Sequence, residues 1–339
     1  GGAAYDSAGL VVSSAGDVNG DGFGDVIVDT SGVSSYVLFG KASGFDAHFD
    51  LSAVDGHNGF RFDRDAKYFT HNSISGAGDV NGDGFDDVII GDPDGGNYKG
   101  SSYVVFGKAS GFNAHMDASS LDGSNGFWLQ GVDVNDATGS SVSSAGDING
   151  DGFDDVVVGA YRAGGSYDRG ASYVVFGSAS GFDAQIDLSK LNGNDGFRLD
   201  GEGLFAYFGH SVSGAGDING DGFDDLIIGT SSNSTYGDFY LPTPSYVVFG
   251  KASGFDAILS MDDLDHDAGF RVDNEGHIDL LGSTVSGAGD VNDDGLDDLI
   301  LNAPESGSSY VIFGSRDFGN GGGGGGELRE IKGTDGDDT

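Results

Sequence analysis

A nine-residue stretch of the type Asp-Val-Asn-Gly-Asp-Gly-Phe-Asp-Asp constrains this chain most, because its pattern recurs five times along the sequence. In the second copy, side-chain oxygens stand at positions one, three, five and nine, which are Asp79, Asn81, Asp83 and Asp87. Oxygen ligands at alternate positions of a tight loop are typical of calcium sites, and a glycine after the third ligand allows the sharp turn. Three carboxylates so close together repel one another without a cation, so the pattern predicts a metal that is part of the fold.

All five loops share the same predicted donors, which are four side chains and the carbonyl oxygen of position seven. The predicted metal ligands are Asp17, Asn19, Asp21, Phe23 and Asp25; Asp79, Asn81, Asp83, Phe85 and Asp87; Asp147, Asn149, Asp151, Phe153 and Asp155; Asp217, Asn219, Asp221, Phe223 and Asp225; and Asp290, Asn292, Asp294, Leu296 and Asp298. The first loop has Gly24 where the others have a second Asp at position eight, so we expect that Asp to be dispensable. The alternative interpretation is a series of Asx turns without metal, but turns alone do not require an Asp at position nine.

The residues that follow each loop separate it from a helical calcium motif. An EF-hand loop has Glu at its twelfth position, whereas these loops have Val28, Ile90, Val158, Ile228 and Leu301 there. Each of these lies in a short apolar run such as Asp87-Val88-Ile89-Ile90-Gly91, which is typical of a buried strand.

The loops mark a repeating unit, since their starts lie 62, 68, 70 and 73 residues apart. The third unit contains four strand-like pieces, here named A to D, at 139–146, 155–159, 171–177 and 195–199. Piece A is rich in Ser, Gly and Ala, while B and C are almost continuously apolar. Small first strands can crowd around a common axis, and strands buried on both faces need no polar alternation. The sequence therefore predicts an all-β fold, a β-propeller of five four-stranded antiparallel blades spanning residues 1–318.

The unit resembles the FG-GAP repeat of integrin α-subunit β-propellers and of many bacterial extracellular proteins. The resemblance rests on Phe208-Gly209, on Ser213 to Gly216, on the loop from Asp217 to Asp225 and on Tyr246 to Gly250, and it extends roughly from Leu10 to Gly314. It implies calcium held by the loop positions named above. Integrin propellers have seven blades, so the alternative is that this chain forms a five-blade portion of a seven-bladed propeller.

The C-terminal residues differ in composition from the repeats. Residues 319–326 are nearly all glycine and indicate a flexible linker. Residues 327–339 follow, and we expect Glu327 to Ile331 to pair as the edge strand that completes the fifth blade. Gly333 to Thr339 resembles the entry to RTX calcium repeats of secreted bacterial proteins, although a solvated acidic tail is the alternative.

Composition narrows the partners and the compartment. The formal net charge of −40 argues against binding nucleic acid or an anionic membrane surface. The chain has no cysteine, which excludes disulfides and zinc–thiolate sites, and it has no apolar run long enough to insert into a membrane. Calcium loops in an acidic chain favour an extracellular or cell-surface location, and the sequence leaves the oligomeric state open.

The variable loops are the predicted ligand-binding surface. Because consecutive antiparallel strands alternate in direction, the calcium loops and the C–D connections share one end of the stack, and the B–C and D–A loops share the other. The second set varies in length and is rich in aromatic residues, which suits a protein or glycan ligand. The predicted ligand-binding residues are Tyr98, Tyr161, Arg162, Tyr167, Tyr236 and Tyr240. The alternative is that these rings only pack on one another.

We expect no enzymatic activity. The chain has no cysteine nucleophile and no Gly-x-Ser-x-Gly elbow between a strand and a helix, and its seven histidines show no zinc spacing. The alternative function is a propeller hydrolase, or an accessory domain of an extracellular enzyme.

The loops predict the metal content. We expect about five calcium ions to bind per chain, with dissociation constants of about 10⁻⁴ to 10⁻³ M, because Asn in place of Asp at position three limits the ligand charge. Isothermal titration calorimetry together with bound-metal analysis measures both quantities. A count below three ions would contradict the ligand assignment.

Overall fold

The computed structural model describes residues 8–30, 33–44, 47–64, 73–231, 244–273 and 280–318, and the backbone of 328–332. It is an all-β structure in which the described strands form five sheets, one for each sequence unit. Tyr236, Tyr240, the glycine-rich residues 319–326 and the RTX-like residues 333–339 lie outside the described residues.

Each sheet is built from the A, B, C and D strands of one unit, paired antiparallel in chain order. The strands of the five sheets are, in order: β1 (Val12–Gly16), β2 (Asp25–Asp29), β3 (Ser34–Leu38) and β4 (Gly59–Asp63); β5 (Ile74–Gly78), β6 (Asp87–Asp92), β7 (Ser101–Val105) and β9 (Gly126–Gln130); β10 (Ser141–Gly146), β11 (Asp155–Ala160), β12 (Ala171–Val175) and β14 (Gly196–Asp200); β15 (Ser211–Gly216), β16 (Asp225–Gly229), β17 (Ser245–Val248) and β19 (Gly269–Val272); and β20 (Thr284–Gly289), β21 (Asp298–Ala303), β22 (Ser308–Ile312) and β23 (Leu328–Lys332). The predicted metal loops are therefore the A–B turns.

Three sheets gain a fifth strand that the sequence pattern does not predict. A three-residue strand from the C–D connection of the next unit pairs in parallel with the D strand. These strands are β8 (His115–Asp117) on β4, β13 (Gln185–Asp187) on β9 and β18 (Ile258–Ser260) on β14. Each connection also places a phenylalanine against the preceding sheet, as where the Phe182 and Phe127 rings stack with centroids 4.4 Å apart. Neighbouring sheets are thus joined at their outer edges.

The helices are single turns between strands. The described residues contain one four-residue turn with left-handed backbone at three residues, Gly95–Tyr98, and five 3-10 turns: Leu51–Ala53, Ala118–Ser120, Gly165–Tyr167, Leu188–Lys190 and Met261–Asp263.

The A strands lie side by side in the order β1, β5, β10, β15, β20. Their small side chains make this approach possible: a Cβ added to Gly214 would lie 2.9 Å from the carbonyl oxygen of Ser144 in the preceding A strand. Serine hydroxyls also connect neighbouring A strands: between the second and third sheets, Ser73 Oγ accepts the N–H of Val142 at 3.0 Å. This is the crowding that the Ser, Gly and Ala composition predicts.

The apolar core lies between successive sheets. Every residue of β6 and β11 is buried, as expected of strands covered on both faces. The outward faces of the first and last sheets differ from the buried inner sheets, because they expose apolar side chains: Val12 is 63% exposed, Val26 47% and Ile300 37%. The five sheets are consistent with a propeller, whereas the closed five-bladed ring stays a prediction.

The last sheet is completed by a strand from beyond the glycine-rich segment. β23 pairs antiparallel with β22, with Leu328 opposite Ile312 and Lys332 opposite Ser308. The strand begins and ends one residue later than the Glu327 to Ile331 segment that the sequence predicts.

Deletion of residues 327–339 tests the contribution of β23. The deletion leaves β22 with an unpaired backbone edge, so we expect a lower melting temperature and self-association in analytical ultracentrifugation. Deletion of 333–339 alone keeps β23 and is the matched control. If both truncated proteins stay monomeric and melt like the full chain, the strand contributes nothing to the stack.

Candidate metal centres and recognition face

Within each A–B loop, side-chain oxygens turn back toward the loop's own backbone. In the second loop, Asp83 donates its N–H to Asp79 Oδ1 at 3.0 Å and to Asn81 Oδ1 at 2.9 Å, and Gly84 donates to Asp79 Oδ2 at 2.9 Å. The same three bonds recur in the other four loops. The predicted ligands at positions one, three and five therefore converge on one small loop.

Left-handed backbone at positions four and six produces this convergence. Gly82 and Gly84 have φ values of 73° and 89°, which glycine adopts without strain. The fifth loop has Asp293 at position four with a φ of 61°, a conformation that Asp tolerates better than most residues.

The carboxylate at position nine is buried and joins the loop to strand C. Asp87 Oδ2 accepts the N–H of Val80 at 3.0 Å, and its Oδ1 accepts the N–H of Gly107, just after strand C, at 2.8 Å. The equivalent Asp25, Asp155, Asp225 and Asp298 make the same two bonds. A Cβ on Gly107 would collide with the carbonyl oxygen of Asp86, which explains the glycine that follows the phenylalanine in each strand C.

Burial raises the pKa of this carboxyl group in the first four loops. The pKa reaches about 8 for Asp87, Asp155 and Asp225 and about 6 for Asp25, and the acidic side chains at positions one and five of the same loop raise it further. At neutral pH the metal-free second, third and fourth loops would therefore tend to hold a proton on this group. A cation beside the carboxylate would keep it ionised instead.

The donor set fits a hard divalent cation, because it consists of carboxylate, amide and backbone carbonyl oxygens. Among the described residues, only Asp63, His115 and Asp117 bring three acidic or histidine ligand atoms all within 4.8 Å of one another. The three carboxylates of each loop are therefore spaced more widely than this. The Asp63 carboxylate is already bonded by Arg61, Ser34 and His115, so that cluster is an ion-pair network at a sheet edge.

The aspartate at position eight, expected to be dispensable, makes a bond between sheets. Asp86 Oδ2 accepts the N–H of Asp17 in the preceding loop at 2.6 Å. Asp154, Asp224 and Asp297 bond the loops before them in the same way, at 2.7, 2.8 and 3.0 Å. Position eight therefore serves the neighbouring loop, a role that the prediction did not include. Its recurrence in four of the five copies was the available signal.

The opposite end of the stack brings some of the predicted ligand residues together. The Tyr161 ring lies 5.8 Å from that of Tyr207 and 5.7 Å from that of His210, and the Arg162 guanidinium lies 5.2 Å from the Tyr161 ring centre. We name these four residues the aromatic cluster. Tyr207 and His210, which were not among the predicted ligand-binding residues, come from the D–A loop that follows, and the fold brings them to Tyr161.

Two other predicted ligand residues lie on loops held by backbone bonds. Tyr98 is 46% exposed and Tyr167 is 54% exposed. The carbonyl of Tyr98 accepts the N–H of Asn135 at 2.6 Å, and that of Tyr167 accepts the N–H of Phe205 at 2.7 Å. Each B–C loop is thus tied to the D–A loop that follows it. These bonds fix the loop backbones and leave the rings accessible.

No helix in the part of the chain that the structure describes has the length and apolar character needed to cross a bilayer.

Comparison with known proteins identifies the repeats. Residues 72–105, 138–175 and 208–240 match the FG-GAP repeat. The chain is 30% identical to integrin alpha pat-2 of Caenorhabditis elegans over 244 residues, covering 66% of this chain and 18% of the integrin. It is 33% identical to integrin alpha-5 of Xenopus laevis over 172 residues, which cover 48% of this chain and 15% of that integrin. It is 30% identical to integrin alpha-V of Gallus gallus over 239 residues, which cover 67% of this chain and 20% of that integrin.

The chain spans about a fifth or less of the length of these relatives. The chain thus contains matches to the FG-GAP repeat, is similar to part of the integrin α chains, and has an all-β fold of five sheets that is consistent with a propeller.

Proposed function

We propose that this chain is a calcium-stabilised β-propeller that recognises a protein or glycan ligand outside the cell, without enzymatic activity. One observation carries the proposal: the two ends of the stack are built differently. Every sheet presents the same oxygen-rich loop at one end, while the other end presents loops that differ between units and carry the aromatic cluster. Function commonly lies in the variable loops of a repeated scaffold.

Calcium would be held by positions one, three, five and nine and by the position-seven carbonyl of each loop. The ion would supply positive charge that offsets three neighbouring carboxylates. The chain's own part is to hold those carboxylates in place: Asp79 accepts two loop N–H groups, and buried Asp87 fastens the loop to strand C. The role of the metal is therefore structural.

The five sheets would be the blades of this propeller, each with four antiparallel strands of its own unit. Two arrangements would cover the exposed faces that carry Val12, Val26 and Ile300. In a closed ring of five blades the end sheets cover each other, and in a seven-bladed ring two further blades lie between them. Either arrangement removes apolar surface that would otherwise favour aggregation.

The aromatic cluster would contribute the ligand contacts. Tyrosine rings offer a flat apolar surface with a polar edge, and a guanidinium on such a ring provides directed donors for carboxylate or hydroxyl groups. Arg162 is also one of only 15 Lys and Arg residues, against 55 Asp and Glu residues in the chain. A cation in so acidic a chain can therefore select for acidic or polar ligand groups.

An extracellular or cell-surface location follows from the calcium requirement, because weak calcium sites fill only where calcium is abundant. The RTX-like residues 333–339 support export from a bacterium as part of a larger protein.

Asp147→Ala tests the structural role of calcium. The substitution removes a predicted ligand and the acceptor of the Asp151 and Gly152 N–H bonds. We expect the variant to bind one calcium ion fewer. In the presence of calcium, its free energy of unfolding should be lower than that of the wild type by about 2 kcal/mol or more, and after chelation this difference should be smaller.

Asp183→Ala is the matched control for Asp147→Ala, since it removes the same charge from an exposed position of the same unit. Calorimetric ion counting and thermal unfolding, each in calcium and in chelator, give the measurements. Equal behaviour of the two variants, or a wild-type melting curve that chelation leaves unchanged, would refute a structural metal.

The double variant Tyr161→Ala, Arg162→Ala tests the recognition face. We expect it to weaken binding to a glycan array or to cell-surface proteins in a pull-down by about tenfold or more, as loss of a central aromatic and arginine contact does. Bound calcium should stay the same, because both residues lie opposite the metal loops.

The control for the face is Lys251→Ala, Ser253→Ala, which also removes one cation but lies beside the metal loops. Lys251 N–H bonds the carbonyl of Ile148 there, and both side chains are exposed. If the control weakens binding and the Tyr161, Arg162 variant does not, the ligand binds at the calcium end.

A further inference from the structure

Each position-eight aspartate exchanges two hydrogen bonds with position one of the preceding loop, one in each direction. Asp154 accepts the N–H of Asp79 on its Oδ2 at 2.7 Å and donates its own N–H to the Asp79 carbonyl at 3.2 Å. The pairs Asp17 with Asp86, Asp147 with Asp224, and Asp217 with Asp297 repeat both bonds. In every pair, the partner in the preceding loop is position one, the first predicted metal ligand.

Position one organises its loop, so its placement controls the metal site. The two carboxylate oxygens of Asp79 accept the N–H groups of Asp83 and Gly84. Fixing the Asp79 backbone from the next sheet therefore restricts where these oxygens lie. A ligand set restricted in advance loses less conformational freedom when an ion binds.

Position eight is in turn fixed by its own loop. Asp154 is bonded in sequence to Asp155, the buried predicted ligand at position nine, which Ile148 and Gly177 hold by N–H bonds. An ion bound to Asp155 would restrain Asp154, and Asp154 restrains Asp79. A continuous chain of bonded groups thus connects the third loop to the second.

Other contacts follow the same direction along the stack. Ser178, after strand C of the third sheet, donates its N–H to the carbonyl of Val80 at 2.9 Å. The ring of Phe153, at position seven of the third loop, lies where a Cβ on Gly82 would be. The second loop therefore packs against the third sheet, and the first loop packs against the second sheet in the same way.

We propose that the position-eight aspartates couple neighbouring metal sites, so that occupation of one loop raises the affinity of the loop in the preceding sheet. This inference rests on the proposed calcium sites. Asp86, Asp154, Asp224 and Asp297 are positioning residues, which act through position one of the preceding loop. Because coupling free energy is reciprocal, occupation of the preceding loop raises the affinity of the following loop by the same factor.

The fifth loop provides an internal reference, since no following sheet caps it in the part of the chain described. Val291, at its second position, is 57% exposed, whereas Val18, Val80 and Ile148 at the equivalent positions are fully buried. A Cβ on Gly289 would meet nothing within 4 Å, whereas one on Gly216 would collide with Asp297. We therefore expect the fifth loop to bind calcium independently of any following loop and more weakly than the capped loops.

The experiment is a thermodynamic cycle on the second loop. Calcium is titrated into the full ¹⁵N-labelled chain, and the amide resonances of Gly84 and Gly295 report the second and fifth loops. Asp151→Ala empties the third loop without touching the bond between Asp79 and Asp154. We expect it to weaken calcium binding at Gly84 about fivefold or more, with Gly295 unchanged.

Asp154→Ala should weaken the second loop by itself and abolish any further effect of Asp151→Ala on Gly84. Asp154→Asn keeps a side-chain oxygen as acceptor and should retain the coupling, which separates positioning from a general loss of stability. Asp297→Ala, which breaks the equivalent bond between the fourth and fifth loops, is the matched control and should leave Gly84 unchanged.

The proposal is overturned if Asp151→Ala leaves the Gly84 midpoint unchanged, or if it has the same effect with and without Asp154. Failure of the calcium assignment itself looks different, because neither Gly84 nor Gly295 would then respond to calcium in the wild-type chain.

Discussion

The buried carboxylate at position nine is the interaction on which the rest of the structure depends. In each unit it joins the A–B loop to the end of strand C through two backbone N–H groups. Hydrogen bonds to a charged group contribute about 1.5–3 kcal/mol each, yet burying a carboxylate without a cation costs several kcal/mol. The raised pKa of Asp87, Asp155 and Asp225 expresses this cost. A cation at the loop, as proposed, would turn the same burial into a favourable term and would let so acidic a chain keep these groups inside.

The stack follows from this anchor and from small side chains along the inner strands. The loops fix one end of each sheet, Ser and Gly let the A strands approach, and the stacked phenylalanines of the C–D connections close the outer edge. The interior between the sheets is filled by the apolar B and C strands. The loops at the variable end differ between units, since these three recurring sets of contacts lie elsewhere.

Much of the fold could be predicted because it repeats with a short period. Five copies of one loop, followed by apolar runs, identified the A to D strands, and the alternation around Arg329 identified β23. The parallel strands β8, β13 and β18 could not be predicted, because three residues are too few to show a strand period. The role of position eight was hidden for another reason: its partner lies 69 to 80 residues earlier in the chain. The aromatic cluster likewise joins Tyr161 to residues of the following D–A loop that only the fold brings near.

The bond between position eight and the preceding loop gives the stack a direction. In each internal unit, position eight bonds the loop of the preceding unit, and position one is bonded by the following unit. A duplicated internal unit inserted between two others would therefore find matching partners on both sides. The first unit is not interchangeable with them, because Gly24 offers no carboxylate to a loop placed before it. The number of internal units can therefore change by duplication without any new contact having to evolve.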